Sequence, residues 1–112
     1  MSEAKIRAII KRPDEEIGHV TNISPRLENL QNIVGGYIET VTLYSGWTII
    51  CNEEGRIRDL PYNCTIDNVD FYGEIIAIGV SGDDFTDLPL EITRKVWSEM
   101  IEMINGRLVF GT

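Results

Sequence analysis

The sequence contains few basic residues. Its 112 residues include ten Lys and Arg against eighteen Asp and Glu, which gives a formal net charge of −8. Proteins that bind duplex nucleic acid neutralise its phosphates with basic groups. We therefore expect no direct contact with nucleic acid, and the charge favours a basic protein partner over an acidic one.

Cysteine and histidine are also scarce. Cys51 and Cys64 are too few for a disulfide framework, and together with the single histidine, His19, they cannot supply the four ligands of a structural zinc site. Cys51 follows an apolar run, where a free thiol behaves as a small hydrophobic residue. The composition therefore predicts a protein of a reducing cytoplasm without a metal site.

Patterns of catalytic residues are missing too. No Ser or Cys nucleophile accompanies His19 in a recognisable motif. The aspartates at 83, 84 and 87 lack the ligand spacing and the closing Glu of a calcium loop. Capping of a following helix already explains them. We predict no enzymatic activity, no catalytic residues and no cofactor.

Long apolar runs are absent as well. No stretch approaches the roughly 20 apolar residues of a membrane span, and the first residues lack the apolar segment of a secretory signal. Hydrophobic residues make up 43% of the chain and charged residues 25%, the mix of an ordinary globular protein. We expect one soluble domain, residues 1–112, with a packed core and no contact with a membrane.

Alternating apolar residues, in contrast, are frequent. Residues 5–11 alternate and predict a first strand, and residues 17–23 predict a weaker antiparallel partner. Residues 37–44 and 47–51 flank a Ser-Gly turn and predict a hairpin. After a turn at 52–55, residues 56–60 alternate again, so we expect a third strand and a meander.

The most apolar part of the chain, residues 71–80, predicts a central strand. Residues 81–87 have the composition of a loop. At the end of the chain, residues 107–112 either pair as a terminal edge strand or remain loose.

Two helices are predicted from their ends. Ser24 as the N-cap and Pro25 as the first helical residue begin a short helix, and Gly35 and Gly36 end it. A phosphate-binding loop is the alternative interpretation of the two glycines, but such loops precede a helix and these follow one. Residues 88–105 place apolar side chains on one broad face and predict a long C-terminal helix.

These elements predict an α+β fold. We expect a mainly antiparallel sheet of about five strands, with the long C-terminal helix on one face and the short helix, which follows the first strands, at an edge.

Five short blocks of the sequence, taken in order, resemble a known family. The blocks are residues 34–39 (VGGYIE), 50–55 (ICNEEG), 60–63 (LPxN), 72–76 (YGEII) and 82–86 (GDDFT). The family is domain of unknown function 3846, and the resemblance covers about residues 5–90. After Asn63 the family pattern leads us to expect a basic residue, and this sequence has Cys64.

The resemblance implies a biological setting and no catalytic residues. Members of the family look common in phages and mobile elements of Gram-positive bacteria, so the expected location is the cytosol of the bacterial host. Many small proteins of such elements counter host defence. By that analogy, the expected role is to sequester a host signalling molecule.

A small polar or nucleotide-like ligand is the first functional hypothesis. The family-like blocks fall at turns and strand ends, where aromatic side chains lie near Asn and Asp, a combination that stacks and orients planar ligands. The predicted ligand-binding residues are Tyr37, Glu39, Asn52, Asp59, Asn63 and Asp83. The alternative is an acidic inhibitor that occupies the basic groove of a host nucleic-acid-binding or defence protein. Self-association into a homo-oligomer is left open.

Overall fold

Strands dominate the part of the chain that the structure describes. The computed structural model describes residues 4–101, which contain eight strands and two helices. In chain order the elements are β1 (Ile6–Lys11), β2 (His19–Ile23), α1 (Leu27–Val34), β3 (Ile38–Tyr44), β4 (Trp47–Asn52), β5 (Tyr62–Ile66), β6 (Val69–Tyr72), β7 (Ile75–Ser81), β8 (Asp84–Thr86) and α2 (Arg94–Met100).

Six of these strands form one antiparallel sheet. Its order is β2-β1-β7-β4-β3, and β8 pairs with the last residues of β7. The β5–β6 hairpin forms a separate two-stranded ribbon. The mainly antiparallel α+β fold is therefore confirmed, as are the first two strands, their pairing and the β3–β4 hairpin.

The central strand β7 is buried on both faces of the sheet. Ile76 and Ile78 point into a core with Leu30 and Val34 of α1, while Ile75 and Ala77 point into a second core with the ribbon and Trp97 of α2. These four side chains have no exposed surface. A fully buried isoleucine contributes about 1.5–3 kcal/mol relative to an exposed one, so β7 anchors both layers.

The prediction of a long C-terminal helix is wrong. The Arg7 guanidinium donates to the carbonyls of Leu88 at 2.9 Å and Ile92 at 3.1 Å, which fastens this non-helical segment to β1. The helix begins only after Thr93, whose hydroxyl accepts from the Val96 N–H at 3.1 Å. It ends at Met100 because Ile101 is extended. The predicted residues 102–105, and the predicted edge strand 107–112, lie outside the described residues.

The short helix starts later than predicted. Arg26 is its N-cap, and Ser24 instead accepts a hydrogen bond from the Arg26 N–H at 3.3 Å in the turn before it. Gly35 ends the helix in the left-handed conformation, as predicted. The helix packs on one face of the sheet through Leu30 and Val34, against β4 and the edge strand β3, because its apolar stripe needs a surface to cover.

The predicted strand at residues 56–60 is wrong, and so is the meander. The segment consists of successive turns, in which the Arg58 N–H donates to the Glu54 carbonyl at 2.8 Å and the Leu60 N–H to the Gly55 carbonyl at 3.0 Å. The edge of β4 that such a strand would need is occupied by β7. We call residues 53–59 the Arg56 turn.

The apolar run 71–80 is two strands, not one. Gly73 has φ of 80°, and a Cβ at this position would lie 2.8 Å from Leu60 Cδ1, so the chain turns here and separates β6 from β7. The preceding residues form the β5–β6 hairpin. Asp67 and Asn68 at its tip both have positive φ, as a two-residue hairpin turn requires.

Candidate functional site

The six predicted ligand-binding residues lie in different places. Glu39 and Asn52 line one cleft, and Tyr37, whose side chain is 71% exposed, lies in a shallower depression beside it. Asp59 and Asp83 are exposed in two separate turns. Asn63 is fully buried. The structure therefore brings Glu39 and Asn52 together and separates the other four.

Asn52 holds the end of α1 against the turn after β4. Its amide nitrogen donates to the Val34 carbonyl at 3.1 Å, and its amide oxygen accepts from the Glu54 N–H at 2.7 Å. Only 6% of the residue is exposed. Its side chain therefore shapes one wall of the cleft through these two contacts.

Asn63 organises a buried polar cluster under the ribbon. It is the extra residue of a bulge in β5, and its amide nitrogen donates to the carbonyls of Lys11 at 2.9 Å and Gly73 at 2.7 Å. Its oxygen accepts from Lys11 Nζ at 2.9 Å. Burial lowers the pKa of Lys11, which has no exposed surface. The cluster joins β1, β5 and the turn before β7.

A cleft opens where the β3–β4 hairpin faces strand β6. We call it the β3–β6 cleft; its volume is about 170 Å³, and it is lined by residues of β3, β4, the Arg56 turn and β6, among them Glu39, Val41, Cys51, Asn52, Arg56, Asp70 and Tyr72. Drug-sized ligands occupy pockets of about 300–1,000 Å³, whereas a cavity of about 150 Å³ holds benzene. The cleft has room for a single ring.

The Arg56 turn reaches β6 because residue 55 is glycine. A Cβ there would lie 3.0 Å from the Tyr72 carbonyl oxygen and 3.3 Å from Tyr72 Cβ, closer than packed atoms normally approach. Without that Cβ, the turn lies directly against β6. This contact brings Arg56 to the same side of the cleft as Asp70 and Tyr72.

Asp70 and Tyr72 are held in place by their neighbours. Asp70 accepts a hydrogen bond from Thr65 Oγ1 at 2.6 Å, and that hydroxyl is also hydrogen-bonded to the Tyr62 hydroxyl. The Tyr62 and Tyr72 rings pack edge to face, with centroids 5.7 Å apart. A carboxylate and an aromatic ring are thus fixed side by side before any ligand arrives.

Arg56 rests loosely on this pair. Its guanidinium carbon lies 5.2 Å from the centre of the Tyr72 ring, and its Nη2 lies 3.4 Å from the Tyr72 hydroxyl and 3.5 Å from Asp70 Oδ2. Strong charge-assisted hydrogen bonds are about 2.7–2.9 Å long. The side chain is 71% exposed, so it can leave this position with little loss of packing.

One family comparison identifies the chain. The family model described as Domain of unknown function (DUF3846) matches residues 6–102. The chain belongs to this family. The match runs past residue 90, where the resemblance was expected to end, and includes α2. No curated protein and no solved structure matches the chain.

The family match contains every residue that lines the cleft, and the sequence blocks had not singled out Asp70 or Tyr72 as ligand-binding. Both positions depend on the β5–β6 hairpin, which the sequence signals only through the Asp67-Asn68 turn. Among residues 4–101, no group of acidic, His and Cys side chains is arranged to hold a metal ion. None of the helices described is long and apolar enough to cross a membrane.

The two cysteines are poor nucleophiles in this family member. Burial raises the pKa of Cys51 to about 11, helped by the Glu39 carboxylate, and burial raises the pKa of Cys64 to about 12. Reactive cysteines have a lowered pKa and are partly exposed, since the thiolate is the nucleophile. Cys51 therefore contributes an apolar wall to the cleft.

The buried thiols predict a loss of stability at alkaline pH. Above pH 9 the unfolded thiols release their protons while the folded chain keeps them, so the free energy of unfolding falls, by at most about 1.4 kcal/mol per pH unit for each thiol. The lowered pKa of Lys11 opposes part of this loss. Urea unfolding between pH 8 and 10.5 should show a smaller loss in a Cys51→Ala, Cys64→Ala variant. An equal loss in both proteins would contradict the burial of the thiols.

Proposed function

We propose that this protein binds a small, planar, polar ligand with a nucleotide-like ring in the β3–β6 cleft, without catalysing a reaction. The observation that carries the proposal is the prearranged pair of Asp70 and Tyr72 in a cleft of single-ring size. The ring of the ligand stacks on Tyr72, and the Asp70 carboxylate accepts hydrogen bonds from its polar edge. The protonated state of the Cys51 thiol supports a binding role over a catalytic one.

The setting of this activity rests on the resemblance drawn from the sequence blocks. We propose that the chain acts in the cytosol of a bacterium that carries a phage or mobile element. Its ligand would be a host signalling molecule that the protein sequesters. Sequestration requires only that the ligand bind stably in the cleft, and this binding needs no cofactor.

The ligand can be recovered directly from the protein. We expect protein purified from bacterial cells under native conditions to release a small aromatic compound on denaturation, detectable by mass spectrometry. A protein that releases no such compound, and that no nucleoside stabilises against heat, would contradict the proposal.

A single substitution in the cleft tests the role of Asp70. Asp70→Asn keeps the shape of the side chain and removes its charge, and hydrogen bonds to charged groups are worth about 1.5–3 kcal/mol. We expect cytidine binding, measured by calorimetry, to weaken about tenfold or more. Asp84→Asn is the matched control because it makes the same change at an exposed residue of β8, outside the cleft. Equal affinities in the two variants would place the ligand elsewhere.

The net charge of −8 favours a second candidate function. In it, the acidic surface occupies a basic groove of a host nucleic-acid-binding or defence protein, steered there by electrostatic attraction. Recovery of such a protein in a pull-down that moderate salt abolishes would support this candidate. Salt has little effect on stacking in a cleft, so the two functions differ in their salt dependence.

A further inference from the structure

The guanidinium of Arg56 lies against two other residues that line the β3–β6 cleft, Asp70 and Tyr72. A guanidinium is a planar group with N–H donors along its edges. In the structure this group covers the Tyr72 ring and points one edge at Asp70, the same two features that would hold a ligand. The chain thus places one of its own planar, nitrogen-rich groups on the recognition surface.

The charges of the cleft favour the same class of group. Three carboxylates, those of Glu39, Glu53 and Asp70, belong to lining residues, against the single guanidinium of Arg56. A phosphate in the cleft would meet this excess of negative charge. Carboxylates are acceptors only, so they pair with a ligand edge that carries N–H groups and are left unpaired by an edge of carbonyl oxygens.

We infer that the Arg56 side chain covers the ring and the carboxylate that the ligand binds, and that the ligand displaces it. The ligand class is a neutral or positively charged planar group with an amino or amidine edge, such as an aminopyrimidine, and any phosphate it carries stays outside the cleft. The inference rests on the proposed binding function and adds the chemistry of the ligand. It also assigns Arg56 the role of a competitor, although an arginine in a pocket usually holds an anion.

The effect of removing Arg56 distinguishes a competitor from a binding residue. Calorimetry with cytidine on the full chain should show about three- to tenfold tighter binding by Arg56→Ala than by the wild type, because an exposed ion pair and cation–π contact no longer have to be broken. Arg56→Gln, which keeps more of the side chain than alanine does, should also bind cytidine more tightly than the wild type. Arg58→Ala is the matched control, since it removes the same charge two residues away and outside the β3–β6 cleft. We expect its affinity to stay within twofold of the wild type.

Three further probes fix the ligand chemistry. Uridine has the size of cytidine but presents a carbonyl where cytidine has an amino group, and we expect it to bind at least tenfold more weakly. Methylguanidinium should bind Arg56→Ala more tightly than the wild type, in the same direction as cytidine. Cytidine 5′-monophosphate should bind no more tightly than cytidine.

The outcomes separate the two proposals. If cytidine binds the wild type and Arg56→Ala weakens it, or if the phosphate strengthens it, Arg56 holds the ligand and the inference is overturned while the binding function stands. If none of the probes binds any variant, the binding function fails and the inference fails with it. Circular dichroism of each variant checks that the fold is kept, as expected for a side chain that is 71% exposed.

Discussion

Replacing Asn63 by leucine is expected to lower the free energy of unfolding by about 3–5 kcal/mol. The substitution leaves the carbonyls of Lys11 and Gly73 without their donor and the Lys11 ammonium without its 2.9 Å acceptor, all in a fully buried place. Urea unfolding followed by circular dichroism measures the loss. A loss below 1 kcal/mol would show that the cluster does not hold the ribbon to the sheet.

A double-mutant cycle isolates the contribution of the buried charge. In a Lys11→Met background no ammonium is left to strand, so Asn63→Leu should cost clearly less than in the wild type. The backbone carbonyl of residue 11 still loses its donor in that background, so the cost should not vanish. Strict additivity of the two substitutions would contradict the pairing of Lys11 with Asn63.

Replacing Trp97 by alanine should have an effect of similar size, about 3–5 kcal/mol. Trp97 has no exposed surface, its Nε1 donates to the Ile17 carbonyl at 2.8 Å, and its ring meets Trp47 edge-on at 6.3 Å. It is the buried residue through which α2 covers the second core. Urea unfolding with Trp47 fluorescence as the signal measures the change.

Two other variants test whether the effect of Trp97→Ala comes from the loss of a buried aromatic ring. Trp97→Phe keeps an aromatic ring and loses the N–H, so its cost should lie well below that of alanine. Lys95→Ala on the exposed side of the same helix should change stability by less than about 0.5 kcal/mol. If Trp97→Ala were as mild as Lys95→Ala, α2 would not be packed on the sheet.

Local sequence patterns predict the regular strands because a strand that is buried on one face alternates apolar and polar residues, and a strand that is buried on both faces is apolar throughout. The alternation at residues 5–11 predicted β1, and the Ser45-Gly46 turn predicted the β3–β4 hairpin. Both predictions were confirmed. Gly35 as the helix end follows from the left-handed conformation that glycine tolerates.

Short patterns fail where distant partners decide the outcome. Residues 56–60 alternate like a strand, but β4 pairs with β3 on one edge and with β7 on the other, so no edge of β4 is left for them. Ile57 is 83% exposed. Trp97 is buried as the helical pattern predicts, but hydrogen bonds from the Arg7 side chain to the carbonyls of Leu88 and Ile92 fasten the segment before Thr93 to β1 in a non-helical conformation. Neither constraint is visible in the local sequence.

The candidate site illustrates the same limit. Asn at a strand end is compatible with ligand binding and with structural hydrogen bonds, and composition does not separate the two. In the structure Asn63 joins buried strands, while Glu39 and Asn52 line the cleft. Asp70 reaches the cleft only because the β5–β6 hairpin brings it beside Thr65, a pairing set by the two-residue turn at Asp67 and Asn68.

Chemical-shift mapping of the wild-type protein with cytidine tests the central claim most directly. Saturating cytidine should move the backbone amide signals that border the β3–β6 cleft, those of Glu39, Cys51, Arg56, Asp70 and Tyr72, and leave those of Asp83 and the β2 strand unchanged. Uridine at the same concentration should move them far less. Signals that stay in place with every nucleoside, or that move only around Tyr37 and Arg58, would contradict a ligand site in this cleft.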